Sequence, residues 1–265
     1  MKLLIKLGGT LLDADATRER LARQIAAVAR DFPTVVVHGG GRQMTRYLAE
    51  RGVESHFVSG LRVTTPEVLD AVVKVVAGSV NRQLVATLNH FTNGAGARAV
   101  GISGIDGGMV EGEPMDPALG SVGRITRADP ALLNTLLAGG FLPVVACVAG
   151  DRKGNLYNVN ADQMAAACAA AFGADQLIFL TDVEGVLDAG KCLLPRLTLG
   201  RSEALIAAGA ATGGMLAKLN AAHSALAQGV PETRICGGAT DAVLERILAG
   251  EELGTRLTVE EVCAK

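Results

Sequence analysis

Residues 3–9 read Leu3-Leu4-Ile5-Lys6-Leu7-Gly8-Gly9. The apolar run predicts a buried strand, yet a lysine sits near its end and a glycine pair closes it. A second segment follows the same plan. Thr34–His38 (TVVVH) is a strand that runs straight into Gly39-Gly40-Gly41 and then into a helical pattern. Glycines at such a turn let backbone N–H groups approach an anion, and the helix N-terminus behind them adds its dipole. Neither segment matches GxxxxGK[ST] or GxGxxG. A single glycine group is as readily a plain tight turn. Two of them beside a lysine in one half of the chain point to an anion site.

Outward from these two strands, short β-rich runs alternate with helical patterns. Helices are expected at Asp15–Arg30, Arg42–Arg51 and Pro130–Ala138. A long one is expected over Pro66–Phe91, with Leu69, Val72, Val73, Val76, Val80, Leu84 and Leu88 at helical spacing. Strands are expected at Arg98–Ser103, Leu142–Val148, Gln176–Thr181 and Thr233–Cys236, and glycine-punctuated hairpins over Gly107–Ile125. Further helices fall at Ala161–Phe172, Ser202–Ala208, Gly213–Gln228 and Asp241–Leu248. This alternation predicts an α/β fold: a central, mostly parallel open sheet with helices on both faces, in three layers. A soft boundary near residues 150–175 divides the hairpin-rich half from a second βα series. Ligands of such sheets bind beyond the carboxyl ends of strands.

Composition narrows the function. The 265 residues are 49% hydrophobic and 20% charged, enough apolar residue for a sizeable core. Net charge is −2, there is no tryptophan, and Phe and Tyr number six and two. Nucleic-acid binding through basic stripes and stacked aromatics is therefore not expected. The five cysteines, Cys147, Cys168, Cys192, Cys236 and Cys263, form no CxxC pair and read as thiols of a reducing cytoplasm. No signal peptide or membrane span is expected.

Four more segments carry candidate chemistry. In Asn158-Val159-Asn160-Ala161-Asp162-Gln163, Asn160 and Gln163 fit a capping box, and Asp162 suits the first helical turn. Capping does not account for Asn158, which reads as a hydrogen-bonder to substrate, with Asp162 an organiser of lysines. Thr181–Asp188 (TDVEGVLD) follows a strand and is either a polar turn or a ribose and adenine contact. In Thr212-Gly213-Gly214-Met215-Leu216-Ala217-Lys218, Thr212 is a candidate N-cap. Lys218 shares a face with Met215, Leu219 and Ala222. That lysine either snorkels or aims at a phosphate, mirroring Lys6. Arg62, in Ser59-Gly60-Leu61-Arg62-Val63-Thr64, suits bidentate carboxylate recognition or simple solvation.

Taken together, these segments resemble the amino acid kinase family from Lys2 to about Gly254. The matching pieces are KLGG, VVVHGGG, GLRVT, VGISGIDGG, LGSVG, GFLPVVACV, NVNADQ, LTDVEGVLD and TGGMLAKLNAA, in that order. GLRVT, LGSVG and NVNAD are similar to the branch that acts on acetylglutamate rather than on aspartate, carbamate or uridylate. The resemblance implies the carbamate kinase-like fold. It also implies ATP-dependent phosphorylation of the γ-carboxylate of N-acetyl-L-glutamate, the second step of arginine synthesis, in the cytoplasm. Lys6 and Lys218 would stabilise the transferring phosphoryl group, and Asp162 would hold both. Gly8, Gly9, Gly40 and Gly41 would donate backbone N–H groups. Arg62 and Asn158, with Gly40 and Gly41, would bind the acceptor. Asp182, Val183, Glu184, Gly185, Val186 and Leu187, with Ala210, Ala211 and Thr212, would form the ATP pocket. Magnesium would sit mainly on phosphate oxygens, with no protein metal site.

The resemblance further implies an N-terminal lobe (1–170) for the acceptor and dimerisation, and a C-terminal lobe (171–265) for ATP. An ionised acceptor carboxylate needs no general base, so His38 and His223 read as structural. Arginine-inhibited members carry an extra N-terminal helix that builds a hexamer. Here the first strand starts by Leu3, so an arginine-insensitive homodimer is expected, with Pro66–Phe91 as its contact element. The competing readings are a kinase of carrier-linked 2-aminoadipate and a catalytically silent nucleotide-binding module.

Overall fold

The computed structural model describes residues 1–92 and 96–260. Cys263 lies outside these described residues. The strands in chain order are β1 (Leu3–Leu7), β2 (Thr34–His38), β3 (Phe57–Val58), β4 (Leu61–Arg62) and β5 (Arg98–Ser103). They continue with β6 (Val110–Pro114), β7 (Gly123–Ala128), β8 (Phe141–Ala146), β9 (Val148–Gly150) and β10 (Leu156–Asn158). The last are β11 (Gln176–Thr181), β12 (Arg196–Thr198), β13 (Glu232–Gly237) and β14 (Thr255–Thr258). The helices are α1 (Asp15–Asp31), α2 (Gly41–Ala49), α3 (Pro66–Ala71), α4 (Asn81–Thr92) and α5 (Ala131–Ala138). After them come α6 (Ala161–Phe172), α7 (Leu199–Ala207), α8 (Gly213–Ala227) and α9 (Val243–Leu248).

Eight strands form the main sheet in the order β12-β14-β13-β11-β1-β2-β8-β5. From β5 across to β13 the neighbours are parallel; β14 runs antiparallel to β13, and β12 follows β14. The expected mostly parallel sheet is what the chain builds. Its inner strands carry near-continuous apolar runs, broken in β1 by Lys6, because both faces are covered. β1 is buried at every residue. The hairpins expected over Gly107–Ile125 are present as antiparallel β6 and β7, which join β9 and β10 in a separate four-stranded sheet. The unexpected strands β3, β4, β10, β12 and β14 are two to four residues long. Such lengths are too short to show a period of two.

Register sets the carboxyl edge. Leu7 pairs with both His38 and Leu180, and His38 with Ala146. The loops after β1, β2, β8 and β11 therefore leave the sheet side by side. Pleating then decides the faces. Lys6 is in register with Val37, so Lys6 and His38 point to opposite faces. Lys6 meets Asp162 on α6, and His38 meets Asn81 at the start of α4. Those two contacts put α6 and α4 on opposite sides of the sheet. α1 packs with α4 and α9, and α6 with α8, which completes three layers.

One expectation changes. Pro66–Phe91 is not an uninterrupted α-helix. α3 opens as expected, with Pro66 at its first turn and Thr65 accepting from the Val68 N–H. From Val72 to Val80 the chain widens into a π-helix before α4 resumes. Asn81 N–H reaches the carbonyl of Val76, five residues back. The segment is rich in β-branched valine, which crowds a regular helical turn, and Gly78-Ser79 interrupts it. π-segments of this kind concentrate at functional sites, and this one faces the turn after β2.

Phe179, on β11 and in register with Lys6, is the largest of the fully buried side chains among the described residues. Phe179→Ala is expected to cost about 3–5 kcal/mol. The cost is read as a lower denaturant midpoint at unchanged m-value.

Candidate active site

Lys6 leaves β1 near the carboxyl edge, 5% exposed. Its Nζ lies 2.6 Å from Asp162 Oδ1. Lys218 Nζ approaches the other carboxylate oxygen, Oδ2, at 3.5 Å. One carboxylate thus holds two ammonium groups and leaves a surplus positive charge in a poorly hydrated place. Burial pulls the Lys218 ammonium below its ordinary range, Asp162 opposes that pull, and Lys6 adds to it. An arriving anion relieves this imbalance. The local sequence explains how each group is held. Asn160 Oδ1 accepts from the N–H groups of Asp162 and Gln163 at 2.8 and 3.3 Å, so the expected cap anchors the first turn of α6. Lys218 Nζ also reaches back to the Gly214 carbonyl at 3.4 Å in the first turn of α8. Thr212 sits at the N-cap position of α8, but its side chain makes no capping bond.

The glycine turns flank this cluster. Gly8 N–H continues the sheet to Leu180 O. Among the described residues, the N–H groups of Gly9, Gly40 and Gly41 have no acceptor within the chain. A Cβ on Gly9 would lie 3.2 Å from the Gly41 nitrogen. A side chain at position 9 would push the two turns apart by a few tenths of an ångström. Gln43 Nε2 donates to the Gly9 carbonyl at 3.4 Å and ties the turns together. The donor set is N–H groups and ammonium groups, which fits phosphoryl oxygens.

Beside it lies a cavity of about 180 Å³, lined by Gly40, Gly41, Met44, Arg62, Cys147 and Asn158 among others. Arg62 projects from the β3–β4 hairpin. It donates to Gly41 O at 3.1 Å, to Thr45 Oγ1 at 2.8 Å and to Ser55 Oγ. Its guanidinium lies 4.6 Å from the Phe57 ring centre. Two of its five N–H groups remain for a carboxylate. Asn158 donates to Thr64 Oγ1 at 3.0 Å, and Thr64 donates to the Arg62 carbonyl at 2.8 Å. One buried hydroxyl therefore couples both expected acceptor-binding residues. Thr45 and Ser55 had no sequence signal beyond their residue type, and Thr64 and Cys147, though inside the GLRVT and GFLPVVACV pieces, had no role assigned to them. A larger groove of about 570 Å³ lies elsewhere, between β7, α6 and α8. Alanines of α6 and polar side chains of β7 and α8 line it together, and neither paired lysine does.

The segments expected to hold ATP sit past β11. Asp182 is exposed and close enough to Lys218 to favour its charged form. Glu184 is exposed with its carboxylate against Gly237, while Val183 and Leu187 are exposed. Gly185 and Val186 are buried, and Val186 N–H donates to Thr255 Oγ1 at 2.8 Å. These two hold the turn to β14. Ala210, Ala211 and Thr212 form the link from α7 to α8, with Ala211 buried.

This geometry defines a class: an open α/β sheet whose carboxyl edge carries two lysines on one aspartate beside two glycine turns. The amino acid kinase family model matches residues 1–237, and the chain belongs to that family. A protein of Solibacter usitatus named acetylglutamate kinase is 63% identical over 258 residues, covering 97% of this chain and 99% of its own. In structure the chain is similar to N-acetylglutamate synthase from Neisseria gonorrhoeae, solved with coenzyme A and N-acetyl-glutamate. The TM-score is 0.85 at 25% identity, over 98% of this chain and 60% of that one. Carbamate kinase of Giardia shares the fold, with TM-score 0.71 at 16% identity over 97% and 98% of the two chains. The carbamate kinase-like architecture expected from the sequence is the one observed.

Asp162→Asn removes the anion between two buried cations. It is expected to cost about 3–5 kcal/mol in stability and to be read by urea denaturation. Sulfate or phosphate is expected to bind this variant no more weakly than wild type, because the positive charge remains.

Proposed function

We propose that the chain transfers the γ-phosphoryl group of ATP to the γ-carboxylate of N-acetyl-L-glutamate, giving N-acetyl-L-glutamyl 5-phosphate. The observation that carries the reading is the Lys6–Asp162–Lys218 cluster facing free glycine amides, next to a cavity lined by Arg62 and Asn158. The relative named acetylglutamate kinase, 63% identical, supports the choice of acceptor.

Each residue has a part in this chemistry. Arg62 and Asn158 hold the acceptor, aiming its side-chain carboxylate at the glycine turns. Lys6, from β1, and Lys218, from α8, lie on either side of the transferring group. Asp162 keeps both in place without touching it. Gly9, Gly40 and Gly41 offer N–H groups to its oxygens, whereas the Gly8 N–H, expected to do the same, is taken by Leu180 O. Phosphoryl transfer through a loose transition state asks mainly for position and charge neutralisation. The acceptor carboxylate is ionised at neutral pH, so no residue needs to act as base. The nucleotide brings the phosphoryl group, with magnesium on its phosphate oxygens, and Asp182–Leu187 with Ala210–Thr212 form its pocket. On this reading residues 1–170 serve the acceptor and 171–265 the nucleotide.

Among the described residues no helix is long and apolar enough to cross a membrane. We place the enzyme in the cytoplasm, as a homodimer formed through the α3–α4 helical segment. Val73, Ala77, Val85 and Phe91 there are only partly buried within one chain.

A coupled ADP-release assay with N-acetyl-L-glutamate, glutamate, aspartate and N-acetyl-2-aminoadipate tests the assignment. Acetylglutamate is expected to be turned over in preference to the others. Lys218→Ala is expected to lose about 10²–10³-fold in kcat, and Arg62→Ala to raise the KM for the acceptor more than it lowers kcat. Wild-type turnover by Lys218→Ala would remove the catalytic assignment. Strict preference for another carboxylate would change the substrate alone. Light scattering is expected to give twice the 27.2 kDa chain mass; a monomer or hexamer counts against the dimer.

A further inference from the structure

His38 is fully buried at the end of β2, one residue before the glycine turn. Its Nδ1 lies 2.9 Å from the Gly39 carbonyl oxygen. A carbonyl only accepts, so Nδ1 carries the ring proton. Nε2 is then the bare nitrogen, and it accepts from Asn81 Nδ2 at 2.9 Å. The second Nδ2 proton goes to Val144 O at 2.9 Å. Every proton in this chain of bonds has one place. Burial drives the imidazole pKa down to about 4, so the ring is neutral and this tautomer persists at working pH.

The Gly39 carbonyl and the Gly40 N–H are opposite ends of one planar trans unit. Drawing the carbonyl toward the α4 face turns the N–H toward the other face, where Lys6 meets Asp162. We propose that His38 and Asn81 are positioning residues for phosphoryl transfer: they hold the Gly39–Gly40 peptide so that Gly40 N–H faces the transferring group. This rests on the kinase reading above.

Three features serve that arrangement. The π-segment brings Val76 and Asn81, five residues apart, to the same turn of chain. A Cβ on Gly40 would lie 3.1 Å from Val76 Cγ2. On β5, a Cβ on Gly101 would fall 2.0 Å from Asn81 Oδ1, so only glycine admits the amide there. Asn81 Oδ1 is itself buried with no hydrogen-bond partner. An unmet buried oxygen costs stability, so packing alone does not account for an amide at this place.

Two substitutions separate position from packing. His38→Gln keeps a polar group where Nε2 was and loses the donor to Gly39. His38→Asn keeps a donor where Nδ1 was and loses the contact to Asn81. With the full chain, ATP and the preferred carboxylate, His38→Gln is expected to lose about ten- to a hundred-fold in kcat. The KM values for both substrates should stay within about twofold. His38→Asn is expected to keep kcat within about threefold, although it melts at a lower temperature. Parallel losses in the two variants, or losses that follow melting temperature, overturn the role. Should His38→Gln not fold, His38→Leu, which likewise lacks the donor to the Gly39 carbonyl, takes its place. It is expected to lower kcat about tenfold at unchanged KM, and unchanged kcat overturns the role. Wild-type chain that releases no ADP with any carboxylate overturns the kinase reading and this proposal together. Wild-type turnover with intact His38→Gln overturns this proposal alone.

Discussion

The Asp162 carboxylate, shared between Lys6 and Lys218, is the constraint on which the rest of the site depends. Three charges sit where a dry sheet meets the first turns of two helices. A lone ammonium there would lose its proton or pull water into the core. The carboxylate pairs with Lys6 and opposes the loss of charge that burial imposes on Lys218, and the remaining positive charge stays available for an anion. β1 brings one lysine, α8 the other, and α6 the aspartate. Sheet register, the Asn160 cap and the packing of α6 on α8 all converge on that one group.

The glycine turns are the neutral half of the same device. They bring N–H dipoles to the place the lysines surround, without side chains that would block approach. A backbone dipole needs no counter-charge, but it has to be aimed. Aim comes from the opposite face of the sheet, through His38, Asn81 and the π-segment. The site is therefore built from both layers of helices, with charge supplied from one and orientation from the other.

Much of this was legible in the sequence. Apolar runs alternating with helical periods gave the parallel sheet. Glycines after β1 and β2, with Lys6 beside them, pointed to a candidate anion site, and Asn160 announced its cap. Other parts left no readable mark. Thr64 and Asn81 are ordinary polar residues in segments whose local pattern does not need them. The run from Pro66 to Phe91 has helical spacing throughout, and spacing alone does not distinguish an α-turn from a π-turn.

What the sequence by itself determined was local: which segments are strands, where glycine relaxes the backbone, and where a lysine departs from the apolar pattern. Those properties follow from neighbours along the chain. Only the tertiary structure decided the pairings, because Lys6, Asp162 and Lys218 lie far apart in sequence and meet through strand register and helix packing. It also decided that Lys6 and His38 face opposite layers. That is a consequence of the pleat, since residues one step out of register on adjacent strands point to opposite sides of the sheet.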